Sequence, residues 1–255
     1  MTEFVRPLTK DATLNDSNVP IRVLTGDDVT DMVTFQSRSI RLGRGLIQRG
    51  ERVLCLNSGA LRHLTDIQFN IDDKYVKHYY PQKNDNIVGI IEDRGSDYYK
   101  VNMFGTTALL SRLAFQGATK RNKPDLKRGD IIYCRVSDLD INFDVMLSCI
   151  ALSGVKKDWS SGEAIYGGLR GGLLLHVSVA YAMSLLHPES FVLRALGQFI
   201  AFEVAIGMNG CIWIKASTPI ESIMIKNAIL NSENLDNTSI SAMITVLLDK
   251  LKSKR

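Results

Sequence analysis

At 255 residues, with 45% hydrophobic and 23% charged residues, the chain has ordinary globular composition and enough apolar material for one large domain or two to three small ones. Its formal net charge of +4 is too modest to imply a polyanionic partner, so any such argument rests on where charge is clustered. The four cysteines, Cys55, Cys134, Cys149 and Cys211, are far apart, form no CxxC pair and have no histidine at zinc-ligand spacing. They read as reduced core thiols of an intracellular protein, which excludes a disulfide framework.

The N-terminal MTEFVRPLTKD has no apolar segment of the signal-peptide kind. Residues 1–18 are polar and patternless and are expected to form a mobile tail. From 19 to 80 the reading is an N-terminal β domain, with short apolar runs such as Arg52–Leu56 separated by turn glycines. Within it GRGLIQRG resembles a fragment of a dinucleotide fingerprint, but the glycine spacing is wrong and no helical period follows.

Residues 81–151 carry four strand-like runs, Asn86–Glu92, Asp97–Phe104, Asp130–Ser137 and Asp144–Ile150, the pattern of a small oligonucleotide-binding barrel. Between the second and third lies Leu113–Lys127, an apolar turn running into a glycine and a basic loop. Lys120, Arg121, Lys123, Lys127 and Arg128 place five positive charges within nine positions, opposed only by Asp125. Charge alone supports a solvated turn equally well. Asn122 and Pro124 stiffen the segment, and a stiff loop loses less entropy on binding a phosphate backbone. Asp138, Asp140 and Asn142 copy the opening of a calcium loop, yet Phe143 and Cys149 occupy the positions that need glycine and a bidentate carboxylate. A hairpin turn is the better reading.

Residues 152–172, with a single GGLRGG run, read as a linker of tight turns. The longest apolar run, Leu173–Leu186, is broken by His176 and is shorter than the about 20 residues a bilayer span requires, so no membrane contact and a soluble protein are expected. From 173 to 255 the predicted order is a strand at Leu173–Val179, helices at Ala180–His187 and Glu189–Leu196, strands at Phe199–Ile206 and Cys211–Ala216, then a helix over Pro219–Asn231. Thr218-Pro219-Ile220-Glu221 is a capping box with proline at the first helical position. This β-α-α-β-β-α order is that of a KH domain, and an amphipathic stretch, Ser239–Leu251, follows it. KH domains clamp nucleic acid with GXXG between their two early helices, whereas Gly207-Met208-Asn209-Gly210 falls between two strands. It reads as a structural hairpin packed against the neighbouring barrel.

Together, LTGD near Gly26, IRLGRGL at Ile40–Leu46, LAFQGATKRNKP, GDIIYCRV at Gly129–Val136, and GMNG followed by IWIKA make the chain resemble cap subunits of the eukaryotic RNA exosome, in the family of ribosomal RNA-processing protein forty, or exosome component three. Cys211 stands where that family is expected to have a basic residue. The resemblance implies an α+β, mostly β protein with an N-terminal β domain, an S1-type OB-fold barrel and a KH domain. It implies contacts with RNase-PH-like ring subunits, with other cap subunits and with single-stranded RNA, in the nucleus, nucleolus and cytoplasm. Such a subunit guides RNA to a separate 3′-to-5′ exoribonuclease and is not itself a nuclease.

The residue chemistry agrees with that expectation. There is no HExxH, no phosphate loop and no nucleophile–base arrangement among the four histidines, so no catalytic residue, metal or cofactor is expected. The expected RNA contacts are Arg112, Lys120, Arg121 and Lys123, with Tyr98, Tyr99 or Phe104 as stacking faces. Alternation puts at least one of Tyr98 and Tyr99 in the core. A free S1/KH RNA-binding protein and a purely structural ring-docking subunit are the other readings.

Overall fold

The computed structural model describes residues 21–34, 41–65, 68–72, 78–139, 145–152, 157–161, 163–187 and 190–252. The expected mobile tail and the turn through Asp140–Asn142 lie outside them. The chain divides into two compact units, residues 1–76 and 77–255.

The first unit is built from β1 (Ile21–Val23), α1 (Thr30–Thr34), β2 (Arg41–Leu42), β3 (Leu46–Arg49), β4 (Arg52–Cys55), β5 (Gly59–Thr65) and β6 (Gln68–Asp72). Four strands form a sheet in the order β1-β5-β6-β2, and β3 and β4 form a separate hairpin. Val23, Val29, Val33, Leu46, Val53, Cys55, Leu61, Phe69 and Ile71 make its core. The one-turn α1 was not expected within this β region. Its start is held by the Asp28 carboxylate, which accepts from the Thr30 backbone N–H at 3.0 Å.

The second unit begins with the barrel: β7 (Asn86–Arg94), β8 (Tyr98–Asn102), β9 (Thr107–Phe115), β10 (Ile131–Leu139), β11 (Val145–Cys149) and β12 (Gly167–Leu169). The order is β11-β9-β8-β7-β10-β12, and an added β10–β11 pairing closes five strands into a barrel. Ile87, Ile91, Tyr99, Val101, Leu110, Phe115, Ile132, Val136 and Leu147 fill it. Two differences from the sequence reading stand out. β9 is a fifth barrel strand, ending where an apolar turn is expected from Leu113 and otherwise over residues assigned no element, because its nine residues change register along β11 and so lose a clean period of two. β12, inside the expected linker, pairs with β10 as an edge strand, and its Gly-Gly-Leu carries no alternation to detect.

The KH order follows as β13 (Leu173–His176), α2 (Val179–Leu185), α3 (Phe191–Gly197), β14 (Phe202–Ile206), β15 (Cys211–Ala216) and α4 (Pro219–Ser232), with α5 (Asn237–Lys252) added. The sheet runs β13-β15-β14, antiparallel throughout. Thr218 and Glu221 cap α4 reciprocally: each backbone N–H donates to the other's side chain at 3.2 Å. All four helices cover one face of the sheet, around Leu175, Leu185, Leu196, Ile212, Ile214, Ile225 and Ile244. The other face packs on the barrel, where Ala205, Cys211 and Trp213 meet Val88 and Tyr133.

The β14–β15 turn joins the two domains. β8 stops pairing with β7 at Asn102, opposite Ile90, so the outward backbone groups of Val88 and Asn86 have no strand beside them. The turn takes that place. The Met208 backbone N–H donates to Asn86 O at 2.8 Å. The Asn209 side-chain amide accepts from Val88 N at 3.4 Å and donates to Val88 O at 2.8 Å and Met103 O at 3.0 Å. A side-chain amide thus stands in for the next residue pair of the ladder. Only glycine fits at position 207, since a Cβ there would lie 2.5 Å from Val88 N and 2.2 Å from the Asn209 Oδ1. Asn209 is 3% exposed, so truncating it strands buried polar groups. Asn209→Ala is expected to lower unfolding free energy by about 3 kcal/mol, read as a lower urea midpoint with an unchanged slope.

Candidate nucleic-acid interface

The basic loop connects β9 to β10 and is pinned at several points. Near its start, the Thr119 N–H donates to Asn122 O at 2.8 Å and the Asn122 N–H to Thr119 Oγ1 at 3.0 Å, closing a compact turn that holds Lys120 and Arg121 at its tip. Pro124 is buried. The Tyr99 hydroxyl donates to Pro124 O at 2.7 Å and accepts from Leu126 N at 3.2 Å, gripping the chain on both sides of Asp125. At the far end Asp130 Oδ2 accepts from Lys127 N at 2.8 Å.

Asp125, which sequence reading treated only as a stray opposing charge, is a junction. Its carboxylate lies 2.7 Å from the Arg94 guanidinium and 3.6 Å from that of Arg112. Arg112 also donates to Ser96 O at 3.3 Å and stands 5.4 Å over the Tyr99 ring. Its side chain is only 12% exposed.

The four expected cations therefore separate into two kinds. Lys120 and Arg121 are exposed and Lys123 is half-buried, and among the described residues none of the three is ion-paired. Arg112 faces inward and braces the loop. Of the aromatics, Tyr99 is wholly buried and occupied with the loop, while Tyr98 is exposed. Phe104 meets the His176 ring edge-on at 4.2 Å. A cleft of about 460 Å³ runs alongside the loop, lined by Asp125, Leu126, Lys127, Asp130, Leu169 and Arg170. Nothing in the sequence shows that Arg94 and Tyr99 grip the loop or that Arg170 lies beside it; strand pairing brings Arg94 and Tyr99 there, and Arg170 directly follows β12.

The GMNG residues, Gly207, Met208, Asn209 and Gly210, are committed to the barrel junction, with Asn209 buried. The connection between α2 and α3 reads Leu186-His187-Pro188-Glu189-Ser190 and holds no glycine. This KH fold therefore lacks the glycine clamp at the place where such domains carry it.

One unforeseen pair has the outline of a nucleophile and base: Cys211 Sγ lies 3.2 Å from His176 Nε2. Its electrostatics deny the chemistry. Cys211 is completely buried, and burial pushes its thiol up to about 12, while desolvation pulls the His176 imidazole below its usual value. Neutral thiol beside neutral imidazole is a packing contact.

A family model described as Exosome complex component RRP40, S1 domain, matches residues 79–160, and one described as KH domain matches residues 172–220. Exosome complex component rrp40 of Schizosaccharomyces pombe is 31% identical over 233 residues, covering 89% of this chain and 94% of the relative. Exosome complex component RRP40 of Drosophila melanogaster is 35% identical over 195 residues, 76% of this chain and 81% of the relative. A crystal structure described as a candidate exosome complex RNA-binding protein superposes with a TM-score of 0.56 at 20% identity, over 70% of this chain and 99% of that one. At that identity the likeness speaks to the fold alone.

All four cysteines are buried and free. Burial, with the Asp27 and Asp28 charges, pushes Cys55 up to about 12, and burial pushes Cys134 and Cys149 well up. The native protein is expected to be inert to Ellman's reagent at about pH 8 and to release four equivalents when unfolded. Because unfolded thiols ionise near 9 and those of folded Cys55 and Cys211 only near 12, with Cys134 and Cys149 raised in the same direction, the unfolded state binds fewer protons in between. Stability is therefore unaffected by these groups below about pH 9 and falls as pH rises from there toward 12, measurable as a falling urea midpoint.

Proposed function

We propose, from the premise that this chain belongs to the family of exosome complex component RRP40, that it is a non-catalytic, RNA-binding cap subunit of the RNA exosome. In this role it helps hold the RNase-PH-like ring together and passes single-stranded RNA toward a separate 3′-to-5′ exoribonuclease, in nucleus, nucleolus and cytoplasm. The observation that carries the RNA contact is the braced loop of the S1 barrel, which holds Lys120 and Arg121 exposed, with Lys123 half-buried beside them, and leaves all three without a carboxylate partner among the described residues. Cations so placed bind phosphates without reading sequence. Arg112 belongs to the same site as a brace rather than as a phosphate ligand.

The KH domain contributes differently. It has lost the clamp position, and its α4 exposes Ile220, Ile223 and Leu230, an apolar stripe better suited to protein than to RNA. Docking on ring and neighbouring cap subunits is the role that fits it.

Lys120→Ala/Arg121→Ala is expected to weaken binding of single-stranded RNA and to flatten its salt dependence by about 0.7 per lost contact, with ring assembly unchanged when scored separately. Loss of assembly with an unchanged salt slope would instead mark the loop as a protein-docking element. A tagged pull-down from the native cells, at moderate salt, is expected to recover ring subunits in near-equal amounts. The isolated chain is expected to show no exonuclease activity, and turnover of RNA by it would overturn the non-catalytic assignment.

A further inference from the structure

We propose that Asp125 is a positioning residue for RNA: its carboxylate holds the basic loop in the shape that presents Lys120, Arg121 and Lys123 to phosphates. This rests on the reading that the loop binds RNA.

An acid in the middle of such a loop needs an explanation. Two positions from Lys123 and two from Lys127 along the chain, it opposes their charge and so weakens the field a phosphate would feel. As a contributor to global stability it is also poor, since Asp125 is 59% and Arg94 43% exposed, and exposed pairs of this kind add little.

What Asp125 supplies is local. Three adjacent barrel strands each contribute one grip on three consecutive loop residues. From β7, Arg94 reaches the Asp125 carboxylate at 2.7 Å; from β9, Arg112 reaches it at 3.6 Å. From β8, between them, the Tyr99 hydroxyl bonds Pro124 O and Leu126 N. The Arg112 grip is itself fixed by Ser96 O and the Tyr99 ring. Lys123 is thereby set one residue from an anchor. Lys120 and Arg121 lie inside the Thr119–Asn122 turn that precedes that anchor. A loop ordered in advance does not lose that freedom again when RNA arrives, and this gain outweighs the charge that Asp125 cancels.

The two effects have opposite signs, which makes them separable. Asp125→Asn raises the net charge of the loop by one, so electrostatics alone predicts RNA binding as tight as wild type or tighter, with a steeper salt slope. Positioning predicts weaker binding in spite of the added charge, by about fivefold. The test uses the full chain and a labelled single-stranded oligouridylate, titrated across salt. Thermal unfolding of each variant is followed in parallel, with limited trypsin cleavage after Lys120 and Arg121 as a direct reading of loop order. Asp125→Asn is expected to bind more weakly and to be cleaved faster, with its melting temperature little changed. Tyr99→Phe, which removes both main-chain grips at constant charge, is expected to do the same, and Asp125→Glu to recover affinity. Unchanged or tighter binding by Asp125→Asn, alongside an impaired Lys120→Ala/Arg121→Ala variant, overturns the positioning role alone. Wild-type binding by the Lys120→Ala/Arg121→Ala variant overturns the loop reading itself.

Discussion

The second unit depends on one buried amide. β7 continues past the end of β8, and without a neighbour the outward N–H and C=O of Val88 would be buried and unpaired, an expensive state for a backbone. Asn209 supplies both bonds from a side chain, and in doing so fixes the β14–β15 hairpin against the barrel. From that hairpin the Trp213 indole N–H donates to Gly171 O at 2.7 Å, tying down the chain that has just left β12. β12 in turn passes beneath the basic loop so closely that a Cβ on Gly168 would be 3.1 Å from Leu126. The hairpin turn and the basic loop are therefore ends of one packed sequence of contacts.

The two folds of the second unit take different parts in this arrangement. The KH fold keeps its sheet, helices and caps, because those depend on apolar burial around Ile212, Ile214 and Ile225. The Gly-x-x-Gly of this chain lies in the strand turn, where Gly207 allows close approach to the barrel and Gly210 to Val177 of the same domain. In the barrel, cations that face solvent are separate from cations that brace the loop. Arg94 and Arg112 are spent on Asp125, and that expenditure leaves Lys120 and Arg121 presented to solvent.

Much of the fold was legible because it is written locally. The capping box at Thr218–Glu221, the alternation of Cys211–Ala216 and the Asn-Gly turn before it are patterns a few residues long, and each marks its element within a residue or two. β9 was missed because its register slips, and β12 because Gly-Gly-Leu has no pattern; both are defined by their partners. The candidate site divides the same way. The cluster of cations is visible in sequence, but the bracing of the loop comes from Arg94, Tyr99 and Arg112, up to 31 positions from Asp125, the Arg94 end of that ion pair. Cys211 and His176 illustrate the converse: a suggestive pair in space whose burial removes the reactivity its geometry hints at.

The distance along the chain between Val88 and Asn209 also has a meaning in time. The two residues are 121 positions apart. At ordinary rates of synthesis, roughly 6 to 24 s separate their emergence from the ribosome. The barrel strands β7 to β11 are complete long before the interval ends, so a nascent barrel can close while the outer edge at Asn86 and Val88 still waits for its last partner. During that interval the chain offers an open strand edge of the kind that other polypeptides can pair with. The nascent protein thus has a vulnerable stage that ends when the β14–β15 turn arrives.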